Sequence, residues 1–297
     1  MYRSVGQNLK IHESIERHIL RMPGLSTTMS KVMSVCNRPD TSANDLNRVI
    51  SLDPVLTGQV LKLINSAYYS LRSEVTSLTR AIIILGLSTV KNIALSTVVV
   101  KSFGMSHTAN KTFMDSFWAH SLCVGVTAKI LAASNHVSKV NQEEYFVAGL
   151  LHDLGKIPLH AVAPDSYAQL TQMGPELQLH VCRAETRLFG VHHCDIGRII
   201  AEKWNLGGVL KACLSFHHDP LKADTSHRLI VFATALADIF SIAFSHNLSE
   251  DNFSGLKNYY RISETAGIIL PEFSELRNNV SKEIERSEAF LNIIRKS

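Results

Sequence analysis

An all-α fold is what this chain predicts, on three observations. Apolar residues recur at helical spacing almost everywhere along it. Strict apolar/polar alternation between turn signals is hard to find, which leaves strands without support. Several apolar runs are preceded by residues suited to a helix start.

Taken in order, Ser42 stands before ANDLNRVISL with Asp45 three residues on, a weaker cousin of the Ser/Thr-x-x-Glu capping box. Asp53-Pro54 opens PVLTGQVLKLINSAYY, with proline suited to the first helical turn. Gly86 and Gly104 then punctuate the helical segments AIIIL and LSTVKNIALSTVVVKSF. The small and polar stretch GMSHTANK, 104 to 111, marks a boundary between two helical blocks. Beyond it, MDSFWAHSLCVGVTAKIL places positions 120, 123, 124, 127, 130 and 131 on one largely apolar stripe. LIVFATALADIFSIAF is apolar all round and reads as a buried helix. From about 246 the chain is more polar and is expected to pack on the outside. The organisation is therefore read as 1–108, 109–245 and 246–297, without internal repeats or low-complexity segments.

The totals narrow the function classes. With 297 residues, 45% hydrophobic, a sizeable core is available. A net charge of +4 without a run of five basic residues gives direct nucleic-acid binding no support. Five cysteines without a Cys-x-x-Cys pair argue against a disulfide framework and a zinc ribbon, and fit a reducing, cytoplasmic setting as small buried hydrophobes. The N-terminus lacks an apolar leader core and no unbroken run of 18 apolar residues occurs, so no membrane association is expected.

Chemistry concentrates in the histidines, nine of the 14 falling between positions 120 and 218. GLLHDLGKIPLH buries an ionisable pair, His152-Asp153, in apolar surroundings. Asp153 needs a partner there: Lys156, a helix N-terminus, or a metal ion. The dipeptide alone is weak, since chance supplies about half of one in such a chain, and a second pair, His218-Asp219, precedes Pro220 at an expected helix end. Asp238 is the only charge in its sixteen-residue apolar helix, which implies either a metal or a lysine or arginine from a neighbouring helix. His192-His193 and His217-His218 are adjacent pairs whose members point about 100° apart on a helix. Core-facing histidines with two buried aspartates in a helical block suit a site on facing helices, holding a borderline divalent metal such as Fe, Mn, Zn, Ni or Co. Gly-x-Ser-x-Gly, Walker-type and Gly-x-Gly-x-x-Gly motifs are absent.

The order of these features resembles the HD metal-dependent phosphohydrolase superfamily: His120, then His152-Asp153 in GLLHDLGK, His193 in HCDIG, His217-His218, and Asp238 in LAD. The N-terminal half, with Asp53-Pro54, Asn65-Ser66-Ala67 and Ala-Ile-x-x-Leu-Gly at 81 to 86, resembles the HDOD domain, the HD-related output domain of bacterial signalling proteins. The resemblance covers about residues 20 to 245 and implies an HD-type helical core with an N-terminal helical HDOD subdomain. It implies one metal on His120, His152, Asp153 and Asp238, and a second on Asp153 as a bridge with His193, His217 and His218. Lys156 matches a lysine near the substrate phosphate in related phosphodiesterases. Two departures stand out: HHDPLKADTSHRL lacks the Gly-Tyr-Pro signature of the cyclic-dinucleotide-cleaving branch, and Ser116 replaces an acidic residue of that branch.

Two functions are therefore expected. The first is a cytoplasmic signal-transduction protein that keeps a dinuclear metal site and acts through other signalling proteins. The alternative is a metal-dependent phosphohydrolase acting on a phosphodiester or nucleotide through a metal-activated water, with Asp153 and Lys156 catalytic.

Overall fold

The computed structural model describes residues 5–22, 24, 27–36, 38, 40–104, 111–171 and 180–295. Among them are α-helices and short 3-10 turns, and no strand. The N-terminal half comprises α1 (Val5–Arg21), α2 (Thr27–Cys36), α3 (Ala43–Ile50), α4 (Pro54–Ile64), α5 (Leu78–Leu85) and α6 (Leu87–Gly104). The capping box before α3 forms with aspartate in the glutamate role. The Ser42 hydroxyl accepts from Asp45 N, and the Asp45 carboxylate accepts from Ser42 N at 3.0 Å. Asp53 caps α4 by accepting from Leu56 N at 2.9 Å, with Pro54 in the first turn.

The helix expected over PVLTGQVLKLINSAYY stops at Ile64, short of the tyrosines. Asn65 is the reason. Its amide donates to Leu61 O and to Val75 O and accepts from Val75 N, tying the helix end to the chain ten residues on. Gly86, at φ +85°, separates α5 from α6, whose axes differ by 119°; a side chain is disfavoured in that backbone region.

The second half contains α7 (Lys111–Ser134), α8 (Lys139–Leu151), α9 (Lys156–Val162), α10 (Pro164–Thr171), α11 (Val181–Phe189), α12 (His193–Lys203), α13 (Gly208–Phe216), α14 (Arg228–Ser245), α15 (Leu256–Ala266) and α16 (Phe273–Arg295). Residues 105–110 of the expected boundary lie outside the described residues. Helix α7 is central, packing along α8 and α14 and, on a further side, against α16. Its crossing with α8 is tight because Gly125 and Gly149 meet: a Cβ on Gly149 would lie 2.7 Å from Gly125 Cα. Helix α16 sets Leu276 and Val280 into the core, and it also packs on α4 and α6.

One hydrophobic core runs from Ile15 to Val280 through both halves. A buried polar network crosses the join: Lys129 donates to Glu143 and to the Tyr68 hydroxyl, and Tyr69 donates to Glu143, each at 2.8 Å. By length and composition, Lys111–Ser134 and Thr225–Ser245 are apolar enough to cross a membrane. Neither contains an unbroken apolar run of that length, because His, Asp, Ser and Thr are interspersed. In the fold, 67% and 78% of their most apolar windows are buried against other helices.

Candidate metal centre

Helix ends and two long helices deliver the donors. His120 projects from α7 and Asp238 from α14, whose residues 230–243 are all buried. His152 terminates α8, and Asp153 follows in the turn that leads to Lys156 at the start of α9. His193 opens α12, while His217 caps α13 and His218 follows it. Of the adjacent pair at α12, His193 faces inward and His192 turns to Asp195 at 3.3 Å. His160 is a core histidine, stacked on Phe113 with ring centroids 3.8 Å apart.

The predicted residues converge on Asp153. Its Oδ2 lies 3.3 Å from both His120 Nε2 and His152 Nε2, and its Oδ1 lies 3.3 Å from His193 Nε2 and 3.6 Å from His217 Nε2. Asp238 Oδ1 lies 3.2 Å from His120 Nε2 and 3.7 Å from His152 Nε2. His218 stands further out, 4.0 Å from Asp238 Oδ2. Lys156 forms an ion pair with Asp153 Oδ2. Asp238 has no lysine or arginine in ion-pair reach among the described residues, so its partners are histidines.

Hydrogen bonds behind the rings assign the tautomers. A carbonyl can only accept, so Nδ1 of His152 donates to Gly149 O at 2.7 Å and Nδ1 of His217 donates to Cys213 O at 2.8 Å. Nδ1 of His193 donates to the Glu185 carboxylate at 2.6 Å. In the neutral rings the Nε2 lone pairs therefore face the centre, and those of His193 and His217 are 3.2 Å apart without a proton to share. His120 Nε2, His152 Nε2, His218 Nε2 and Asp153 Oδ1 are buried without a hydrogen-bond partner, and Asp153 Oδ2 has the Lys156 ammonium. A cation beside Asp153 would satisfy the nitrogens of His120 and His152 and the Asp153 carboxylate. Donors about 2.0–2.2 Å from one ion stand roughly 3–3.5 Å apart, in keeping with these separations. His120, His152 and Asp153 form one group able to hold a metal ion, and Asp153, His193 and His217 form another. His218 groups instead with Cys182, His193 and Cys194.

Electrostatics agree with this donor chemistry for both aspartates and three of the histidines, whereas His152, raised to about 9 by Asp153 and Asp238 against burial, must lose a proton to ligate. Burial pushes the Asp153 carboxyl up, but His152, Lys156 and His193 outweigh it and hold the group well below the usual range. Asp238 is likewise held low, against burial, by His120 and His152. Burial lowers His193, His217 and His218, keeping them neutral as ligating imidazoles must be.

Glu185 belongs to none of the motifs along the chain. It lies on α11, fully buried, accepts from His193 N at 2.9 Å as well as from the ring, and receives the Tyr167 hydroxyl at 3.1 Å. Burial pushes its carboxyl up to about 7. Spacing carries no signal for it, because its role depends on how α11 packs behind α12. Ser241, one turn after Asp238, contacts His120 Nδ1 at 2.8 Å; that i, i+3 placement on the Asp238 face was the available clue. The centre opens onto a cavity of about 720 Å³ lined by His120, Asp153, Lys156, His218 and Asp238 on one side.

The profile of the HDOD domain matches residues 22–220. A protein of Treponema pallidum (strain Nichols), named "Uncharacterized protein", is 24% identical over 233 residues; the match covers 78% of this chain, and the chain spans 44% of that relative's length. Among solved structures, "Putative phosphohydrolase" from Shewanella amazonensis SB2B superposes with TM-score 0.70 at 21% identity, covering 96% of this chain and 99% of that one. "Putative signal transduction protein" from Marinobacter aquaeolei VT8 superposes with TM-score 0.68 at 18% identity, covering 97% and 66%. At these identities the structural likenesses concern the fold, an arrangement of helices that this chain shares. By the family profile over 22–220, the chain belongs to the HDOD domain family.

Proposed function

We propose that this HDOD chain is a regulatory protein that holds two divalent transition metal ions, of the Fe, Mn, Zn, Ni or Co class, and acts through contacts with other signalling proteins. The observation that carries the metal is the pair of facing lone pairs on His193 and His217, 3.2 Å apart beside the unpartnered Asp153 Oδ1. In this reading His120, His152 and Asp238 would hold one ion, His193, His217 and His218 the other, and the Asp153 carboxylate would serve both. The regulatory role is supported by the poverty of cations in the cavity, where Lys156 is the sole lysine or arginine among the described lining residues.

A second reading, metal-dependent hydrolysis of a phosphodiester or nucleotide, is favoured by Lys156 itself, whose ammonium reaches both the cavity and Asp153. Bound metals supply Lewis acidity and a lowered water pKa for displacement at phosphorus. The chain's part is to present Lys156 to a phosphate oxygen, to keep Asp153 ionised, and to orient His193 through Glu185.

Elemental analysis of protein purified without chelator, paired with turnover assays on phosphodiesters, cyclic dinucleotides and nucleotides, separates the readings. Wild type is expected to carry about two ions per chain, and Asp153→Ala fewer than one. No turnover supports the regulatory role; turnover lost in Asp153→Ala supports the hydrolase. A folded wild type that takes up no metal sinks both.

A further inference from the structure

The cavity beside the metal centre is a slot made by small residues on two facing helices. Ser116, Ala119 and Cys123 on α7 and Ser241 and Ser245 on α14 leave the space open. Its walls are apolar: Phe113, Phe117, Leu170, Val181, Phe244 and Ile284. Phe113 is held rigid by its stack on His160 and by an edge contact with Tyr167 at 5.7 Å.

Lys156 is the one lysine or arginine among the described lining residues. It is opposed by Asp115, Asp153 and Asp238 among the lining residues. A ligand with two phosphates would find a single side-chain cation. A nucleobase would find few free polar partners, since Ser241 is engaged with His120 and Ser245 with Ile242 O. An aliphatic or aromatic body, by contrast, would displace water from apolar walls, which is favourable in proportion to area. The volume of about 720 Å³ lies in the range of small-molecule sites.

We infer that the cavity binds a small amphiphile with one anionic head, a phosphate monoester, at Lys156 and the donor cluster, and an apolar body laid between α7 and α14. The placement of the head rests on the metal reading; the placement of the body does not.

Calorimetry on the full chain tests this with decyl phosphate below its micelle-forming concentration, inorganic phosphate, decanol and a cyclic dinucleotide. Decyl phosphate is expected to bind at least about tenfold more tightly than inorganic phosphate, because each buried methylene strengthens binding several-fold. Ala119→Trp fills the slot from an exposed position of α7 and should abolish that gain while leaving metal content unchanged. Ser245→Phe narrows the slot from α14 and serves if the tryptophan variant does not fold. No gain over phosphate, a gain that survives both variants, or a cyclic dinucleotide that binds more tightly than decyl phosphate overturns the inference. Decanol separates the two failures. If it binds chelator-treated protein, the slot stands even where the metal reading falls, and if it does not bind a metal-loaded protein, the slot assignment falls alone.

Discussion

At the scale of single residues, Glu185 and His152 carry the sharpest consequences. The Glu185 carboxylate grips both the ring and the backbone of His193, and so fixes which nitrogen faces Asp153. Removing such a carboxylate behind a metal-ligating histidine costs about 10–100-fold in metal affinity. Glu185→Ala should show that loss in competition with a chromogenic chelator, and Glu185→Gln, which keeps one acceptor, should recover part of it. His152 sets the pH behaviour of the metal-free protein. Burial lowers it, yet Asp153 and Asp238 outweigh burial and raise it from 6.5 to about 9. A raised histidine stabilises the fold fully below its unfolded value and loses that contribution as pH rises from 6.5 through 9. Asp153, held low, contributes above its ordinary 3.8 and loses the contribution as pH falls below that value. Chelator-treated protein should therefore melt at progressively lower temperature between pH 6.5 and 9. Metal binding releases the His152 proton, so the difference in melting temperature between loaded and chelated protein should widen over the same interval.

At the scale of elements, glycines set the distances between donors. Gly155 has an ordinary φ of −64°, so its requirement is steric. A Cβ there would lie 1.9 Å from His193 O and 2.8 Å from Gly197 N. The turn bearing Asp153 is thus pressed against the first turn of α12, which bears His193. Gly155→Ala must push the two apart, at a cost of about 1–3 kcal/mol or more as for overpacking elsewhere. The midpoint of urea unfolding should fall accordingly, and metal content should fall with it, whereas an equally destabilising change far from the centre should leave metal content intact. The meeting of Gly125 and Gly149 has the same logic for α7 and α8, bringing His120 toward His152. Lys203 anchors another element: its ammonium donates to Ile19 O, Leu20 O and Met22 O at 2.6 to 2.9 Å, holding the end of α1 against α12.

Across the whole molecule, the Lys129–Glu143 pair of the second half meets the hydroxyls of Tyr68 and Tyr69 from the first. Glu143 is almost fully buried, and Lys129 is 31% exposed. Lys129→Met would strand the carboxylate with tyrosine hydroxyls alone, at a cost of about 3 kcal/mol, the lower end for a broken buried pair because solvent reaches the lysine. Because the same hydrophobic core runs through both halves, unfolding followed by fluorescence and by circular dichroism should shift together as one transition. Two separated transitions in the variant would show that the halves are held by this network with Tyr68 and Tyr69 rather than by their shared core.

Much of this molecule was legible along the chain. The helix starts at Ser42 and Asp53, the break at Gly86 and the burial of the helix around Asp238 arise from capping, backbone preference and apolar period, whereas the succession of histidines and aspartates took its meaning from the family resemblance. Those effects act within a few residues, which is why a sequence determines them by itself. The early end of α4 was not legible, because Asn65 stops the helix by grasping Val75 across a loop. Nor was the place of Glu185 behind His193, or the apolar slot between α7 and α14. Each depends on how helices far apart in the chain cross and how closely their backbones approach. Only the tertiary structure decided those, since a side chain's partner across a helix crossing is set by packing geometry that no local pattern encodes.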